Sequence, residues 1–194
     1  MSRSRSPSRW ATISASTEPA PAGLVVGTLA APRDPSLDAA LGAERAAAVR
    51  SLLASRARDW AATHGSALHL TVDDGAAAVA ALDGHAGPVL LVAADVPGLD
   101  DRLAAAALAD LAEGAQLAMA PATDGRPFLI ALAAPEPELV RAAADGLPDR
   151  QSAAELIDGE IGLLRSERRL VTPGDARAFA ADPLTPRALA DLLR

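Results

Sequence analysis

The 194-residue chain contains no cysteine, no lysine and no tyrosine. Each absence closes a class of chemistry. Without cysteine there are no disulfides, no thiol nucleophile and no thiolate-ligated zinc. Without lysine there is no Schiff base, no lysine general base and no P-loop lysine; without tyrosine there is no phenolic acid or nucleophile. Aromatic residues number only two Phe and two Trp. Of the 97 nominally hydrophobic residues, 49 are alanine, which leaves 28 Leu, 10 Val and 4 Ile as the main material for a core. That suffices for one domain and makes a second full one improbable on size alone.

All 18 basic residues are arginine, and the net charge is −7. An acidic balance argues against nucleic acid as the main partner, because phosphate backbones are bound by concentrated positive charge. The longest uncharged stretch with apolar character, Pro19–Pro32, has 14 residues and is broken by Pro and Gly. A bilayer span needs about 20, so no membrane association is expected. Arg3, Arg5 and Arg9 precede the apolar run Ala22–Ala31, but Glu18, several prolines and Gly27 interrupt it as a leader peptide. The expected location is cytoplasmic.

Residues 1–22 are mostly Ser, Arg, Pro and Ala, a composition that buries too little surface to offset its ordering entropy. They read as a disordered tail ahead of a single domain at 23–194. Beyond Gly23 the pattern alternates. Leu24-Val25-Val26 opens a strand, and Asp38 to about Thr63 reads as a helix with Leu41, Val49, Leu52, Leu53 and Trp60 on one face. Ala67–Val72 is a second strand, Gly75–Leu82 a short helix, and Pro88–Ala94 a fully apolar run of the kind found in buried parallel strands. Asp100 and Asp101 suit a helix start, and a stripe of Leu103, Ala107 and Leu111 runs to Gly114. Ala115–Ala120 and Pro127–Leu132 read as further strands, Glu136–Ala144 and Ala153–Leu164 as helices. Thr172-Pro173-Gly174-Asp175 has the form of a helix start with Thr as cap. This alternation predicts a three-layer α/β/α, Rossmann-like domain with a mainly parallel sheet.

In such sheets ligands sit beyond the carboxyl ends of the strands. Two loops there carry candidate chemistry. Asp95, in Ala94-Asp95-Val96-Pro97-Gly98, leaves a buried strand where a carboxylate could hold Mg²⁺ (or Mn²⁺) against substrate phosphates, or could simply cap its own turn. The second loop is Pro121-Ala122-Thr123-Asp124-Gly125-Arg126-Pro127. If the strands ahead of these loops are neighbours, Asp95 and Asp124 share one site. His64, His69 and His85 lack metal-ligand spacing and read as surface or strand-edge histidines. Asp73, after the second strand, reads as a turn residue with base recognition as the minority alternative. Arg165, Arg168 and Arg169 read as a solvated helix end, with an anionic-ligand site as the minority alternative. No G-x-S-x-G, G-x-G-x-x-G or H-E-x-x-H occurs, so hydrolase, dinucleotide and zincin readings have no support.

The two loops, in this order, are also where the chain becomes familiar. Residues 89–132 resemble the pattern "strand, G-[ST]-D-x-P-x-L, helix, strand, G-P-A-x-D-G-G-[YF]-x-L" of the radical-SAM/selenodomain-associated transferases. That bacterial family is glycosyltransferase-A-like and belongs to the nucleotide-diphospho-sugar transferase superfamily, with the molybdenum cofactor and phospholactate guanylyltransferases. Leu41-Gly42-Ala43-Glu44-Arg45-Ala46 is similar to the family's "L-G-x-E-x-A", and Thr172-Pro173-Gly174-Asp175 to its "D-x-D-T-P-x-D". The resemblance implies a Mg²⁺-dependent nucleotidyl- or glycosyltransferase acting on a nucleotide donor and a small-molecule acceptor. Asp95 would be the metal ligand and Asp124 the catalytic residue, lining the acceptor or metal side and orienting the second substrate. Arg33, Ser36 and Arg126 are the donor-binding candidates that stand in for the family's basic turn, with a solvated turn residue as the alternative for Arg33.

The departures bear on the same site. The family's basic "K-T-R-L" turn is here Asp34-Pro35-Ser36-Leu37, and Arg169 and Val171 stand where "D-x-D" has its aspartates. Arg126 replaces the second glycine of "D-G-G", Ala94 the polar residue before Asp95, and the span Asp73–Gly87 lacks the family's "G-x-x-G-x-R" donor loop. Phosphoryl-type transfer needs developing charge neutralised by metal and basic groups. The alternative expectation is therefore a catalytically degenerate relative that serves as a nucleotide-binding or protein-interaction module.

Overall fold

A computed structural model describes residues 23–30, 33–70, 74–146, 148–157 and 159–194. The expected tail at 1–22 and the candidate Asp73 lie outside the described residues. Six strands form one sheet: β1 (Val25–Leu29), β2 (Ser66–Leu70), β3 (Val89–Ala93), β4 (Leu117–Pro121), β5 (Pro127–Leu132) and β6 (Ile161–Leu163). Their order is β2-β1-β3-β5-β4-β6. β5 alone runs against its neighbours, pairing antiparallel with both β3 and β4; the other pairings are parallel.

The central strands are buried along their whole length, every residue of β3 (VLLVA) and of β5 (PFLIAL) included. Successive side chains of a strand point to opposite faces, so both faces of the sheet are covered. This is the predicted three-layer, mainly parallel α/β arrangement. Eight helices are seen among the described residues: α1 (Pro35–Leu41), α2 (Ala43–His64), α3 (Gly75–Ala81), α4 (Asp101–Ala112), α5 (Pro137–Ala144), α6 (Arg150–Leu156), α7 (Pro173–Ala181) and α8 (Arg187–Leu193). Buried apolar residues gather in two clusters. The larger surrounds the sheet, with Phe128, Leu90, Leu91, Leu117 and Ile130 at its centre. The smaller joins Leu37, Val49 and Leu53 of α1–α2 to Leu170, Ala176, Leu189 and Leu193.

Three expectations change. The single helix at 38–63 is two helices, because Gly42 adopts φ +83°, a left-handed conformation that breaks the helical hydrogen-bond ladder. The first of them starts at Pro35 rather than Asp38, capped by Asp34, whose side chain accepts from the Ser36 amide. Residues 153–164 are not one helix either. α6 ends at Leu156, and Ile161–Leu163 adds an edge strand to β4. The third change is positional: β5 lies between β3 and β4, so the two strands ahead of the candidate loops are not neighbours.

Three carboxylates at helix starts give an acid dependence. Hydrogen bonds from Ser36 hold Asp34 below its usual 3.8, those from Arg50 and Arg33 do so for Asp38, and those from Ser152 for Asp149. A depressed folded-state value stabilises above the unfolded value and loses that stabilisation as pH falls through the folded one. The urea midpoint should therefore fall between pH 5 and pH 3. In Asp38→Asn the fall should be smaller; an equal fall would place the acid sensitivity elsewhere.

Candidate functional site

β1, β3 and β4 all end on one side of the sheet, and the β4–β5 hairpin turns on that same side. The loops after these strands therefore share one end of the sheet, as expected, with β5 intervening. The turn Asp95–Gly98 follows β3. Helix α4 starts just beyond it, capped by Asp100, whose side chain accepts from the Leu103 amide.

The hairpin loop is closed on itself. The Ala122 amide donates to the Arg126 carbonyl at 2.6 Å, and the Arg126 amide to Asp124 Oδ1 at 3.0 Å. Asp124 and Arg126 are both exposed. Asp124 is thus the acceptor of an Asx turn, with its residue exposed on the loop.

Asp95 departs most from expectation. Its residue is 2 % exposed, not open to a crevice. Arg169 grips it in a bidentate fork, Nε donating to Oδ1 at 2.9 Å and Nη2 to Oδ2 at 2.8 Å. The Arg169 side chain is itself only 10 % exposed. Burial pushes the Asp95 carboxyl up, the Arg169 hydrogen bonds and charge oppose that, and the charge of Asp124 adds to the upward push.

Arg169 arrives on a strap that follows β6 and crosses the end of the sheet. The Leu164 amide donates to the Met119 carbonyl, and the Glu167 amide to that of Pro121. The Thr123 amide donates back to the Glu167 carbonyl, and the Leu170 amide to the Asp95 carbonyl at 2.8 Å. Arg165 of the strap pairs with Asp100 at 3.0 Å and with Glu167 at 3.1 Å. The strap passes so close to the Asp95 turn that the Glu167 carboxylate lies over Gly98, where a Cβ would come within 2.6 Å of its oxygen. The expected solvated helix end at 165–169 is thus a strap, with Arg165 and Arg169 paired and Arg168 exposed.

Two of the donor-binding candidates, Arg33 and Ser36, lie at the start of α1. Arg33 pairs with Asp38 through Nε and Nη2, both at 2.8 Å, and Arg50 joins the same carboxylate. Ser36 is exposed in the first turn of α1, its amide held by Asp34. At the ends of β1 and β2, Thr28 Oγ1 and His69 Nδ1 lie 2.9 Å apart in a hydrogen bond that sequence reasoning did not anticipate. The metal expectation does not fit this arrangement. Both Asp95 oxygens hold Arg169, and no group of three or more His, Asp or Glu is placed to hold a metal ion among the described residues. A Mg²⁺ ion takes six oxygens at about 2.1 Å in near-octahedral geometry. A nearly sealed carboxylate engaged on both oxygens does not begin such a shell.

Residues 34–144, more than half of the chain, match the family model described as an uncharacterized protein conserved in bacteria, DUF2064. The chain belongs to this family. Among solved structures, this DUF2064 member is similar to a provisionally assigned nucleotide-diphospho-sugar transferase from Desulfovibrio desulfuricans G20. The identity is 18 % and the TM-score 0.67, over 89 % of this chain and 94 % of that one. That similarity shows the fold named by the sequence resemblance. More distant are a 4-diphosphocytidyl-2C-methyl-D-erythritol synthase from Anaerococcus prevotii DSM 20548 and Rv0371c from Mycobacterium tuberculosis H37Rv in complex with manganese. The first is 11 % identical with TM-score 0.46, over 78 % of this chain and 94 % of that one. The second is 15 % identical with TM-score 0.43, over 80 % and 97 %. No curated relative matches the sequence. No described helix is long and apolar enough to cross a membrane.

Proposed function

We propose that this DUF2064 member is a nucleotide-binding protein on a transferase scaffold, one that has given up metal-assisted group transfer. The observation that carries the reading is the Asp95–Arg169 fork, which neutralises inside the protein the carboxylate that a metal-dependent transferase of this fold would present. The ligand class comes from the fold and from the rule that open α/β sheets bind ligands at the carboxyl ends of their strands. The binding surface would lie over the ends of β1, β3 and β4, with Arg126 and Asp124 on its rim. His69, exposed near the end of β2 and held by the buried Thr28 hydroxyl, offers a polar contact at the same end of the sheet.

A second reading, Mg²⁺- or Mn²⁺-dependent transfer to a small-molecule acceptor, is favoured by one feature. The Asp124 carboxylate is exposed on a loop at the expected ligand-binding end.

Thermal-shift titration with nucleoside triphosphates and nucleotide sugars, each with Mg²⁺ or with EDTA, separates the two. A ligand at a hundred times its Kd stabilises by about 2.7 kcal/mol, worth roughly 5–10 °C for a chain of this size. The expected result is a shift for one nucleotide class that persists in EDTA, without turnover of the donor. A shift that requires metal, accompanied by donor cleavage, would establish the transferase reading. No shift for any member of the panel would overturn nucleotide binding altogether.

A further inference from the structure

We propose that the Arg169 guanidinium is a resident cation, occupying the place where a divalent metal would sit against the Asp95 carboxylate. Three observations support this. The first is geometric: the fork is bidentate, with donor distances of 2.9 and 2.8 Å, the arrangement in which a guanidinium matches a carboxylate best. The second is that the pair is built into the backbone. Arg169 and Asp95 are 74 positions apart in sequence, yet the next residue, Leu170, anchors the strap to Asp95 by its amide and is itself 3 % exposed in the smaller apolar cluster. Together with the Glu167–Pro121 and Thr123–Glu167 backbone bonds, this fixes where the guanidinium can be.

The third is charge. The family pattern that this segment resembles has aspartates at positions 169 and 171, where this chain has Arg169 and Val171. The buried Asp95–Arg169 pair carries no net charge by itself, so the site is neutral without a divalent ion. Neutrality matters here, because an uncompensated charge in so closed a place is costly.

The inference does not depend on nucleotide binding and is tested without any nucleotide. Mn²⁺ alone is titrated into wild-type protein and into Arg169→Asp, with the EPR signal of free aqueous Mn²⁺ reporting binding and thermal melts reporting stability. Wild type should leave the Mn²⁺ signal undiminished, and its melting temperature should be the same in Mn²⁺ and EDTA. Arg169→Asp should melt lower in EDTA, bind Mn²⁺ saturably and recover melting temperature as Mn²⁺ is added. Saturable binding by wild type that is lost in Asp95→Asn would overturn the proposal, because the metal would then displace Arg169. A folded Arg169→Asp that binds no Mn²⁺ would overturn it too. If Arg169→Asp does not fold, Arg169→Asn, which frees Asp95 without adding charge, is held to the same criteria, and the wild-type titration stands by itself.

Discussion

Arg169→Ala should destabilise the protein by about 3–5 kcal/mol, the usual cost of stripping one partner from a buried ion pair, and lower the melting temperature by roughly 10 °C for a chain of this size. The loss comes from the partner left behind. Asp95 is 2 % exposed, and without Arg169 the largest forces opposing the burial that already pushes its carboxyl above 3.8 are gone. A raised folded-state value means that the folded protein takes up a proton which the unfolded chain still lacks at the same pH. Stability is therefore regained as pH falls through the folded value, and the deficit of Arg169→Ala should be smaller at pH 5 than at pH 8. Replacing both partners by apolar residues, Asp95→Leu with Arg169→Met, should restore most of the loss, since well-packed hydrophobic substitutes for buried pairs are often neutral or better. Chemical denaturation of the two single variants and the double variant closes the cycle. A deficit below about 1 kcal/mol, unchanged by pH, would mean that the pair is solvated and weak.

The sequence made the framework readable wherever local chemistry decides it. Pro88–Ala94 is apolar without alternation because β3 is covered on both faces, and it was found nearly to the residue. Thr172 with Asp175 forms a reciprocal capping box, and a side-chain pattern that acts within three residues is visible in the text of the sequence. The misses are of two kinds. Gly42 sits in a run whose helical periodicity continues on either side, so the pattern gave no sign of the positive φ that splits α1 from α2. β6 is three residues long and half-exposed at a sheet edge, and its Ile-Gly-Leu has neither the length nor the alternation that marks a strand.

The site was legible in its position but not in its wiring. Asp95 and Asp124 do lie at the same end of the sheet, as strand–loop order implied. That Asp95 would be sealed could not be read locally, because its partner comes from a strap 74 positions away. One signal was available. An arginine where the resembled pattern carries an aspartate facing the same site is a change of two charge units, and such a change in a closed place must be compensated nearby.

The strap makes a second large effect expected at Leu170, the residue that ties the site to the smaller cluster. Its side chain packs with Leu37, Val49, Leu53, Leu189 and Leu193, while its amide holds the Asp95 carbonyl. Leu170→Ala should cost about 2–5 kcal/mol through the lost contacts and the cavity left behind. The more telling expectation concerns where the loosening appears. Leu189→Ala, in the same cluster and fully buried, should cost a similar amount. Only Leu170→Ala removes the anchor one residue from Arg169, so only there should amide exchange across 165–171 accelerate beyond what the global loss accounts for. Its exchange should rise together with that of the Asp95 turn, because the strap and the turn are joined by the Leu170 amide and the Arg169 fork. Equal local protection in the two variants would show that the backbone bonds at Pro121 and Thr123 hold the strap without Leu170. Arg169 would then be fixed from its β6 side alone.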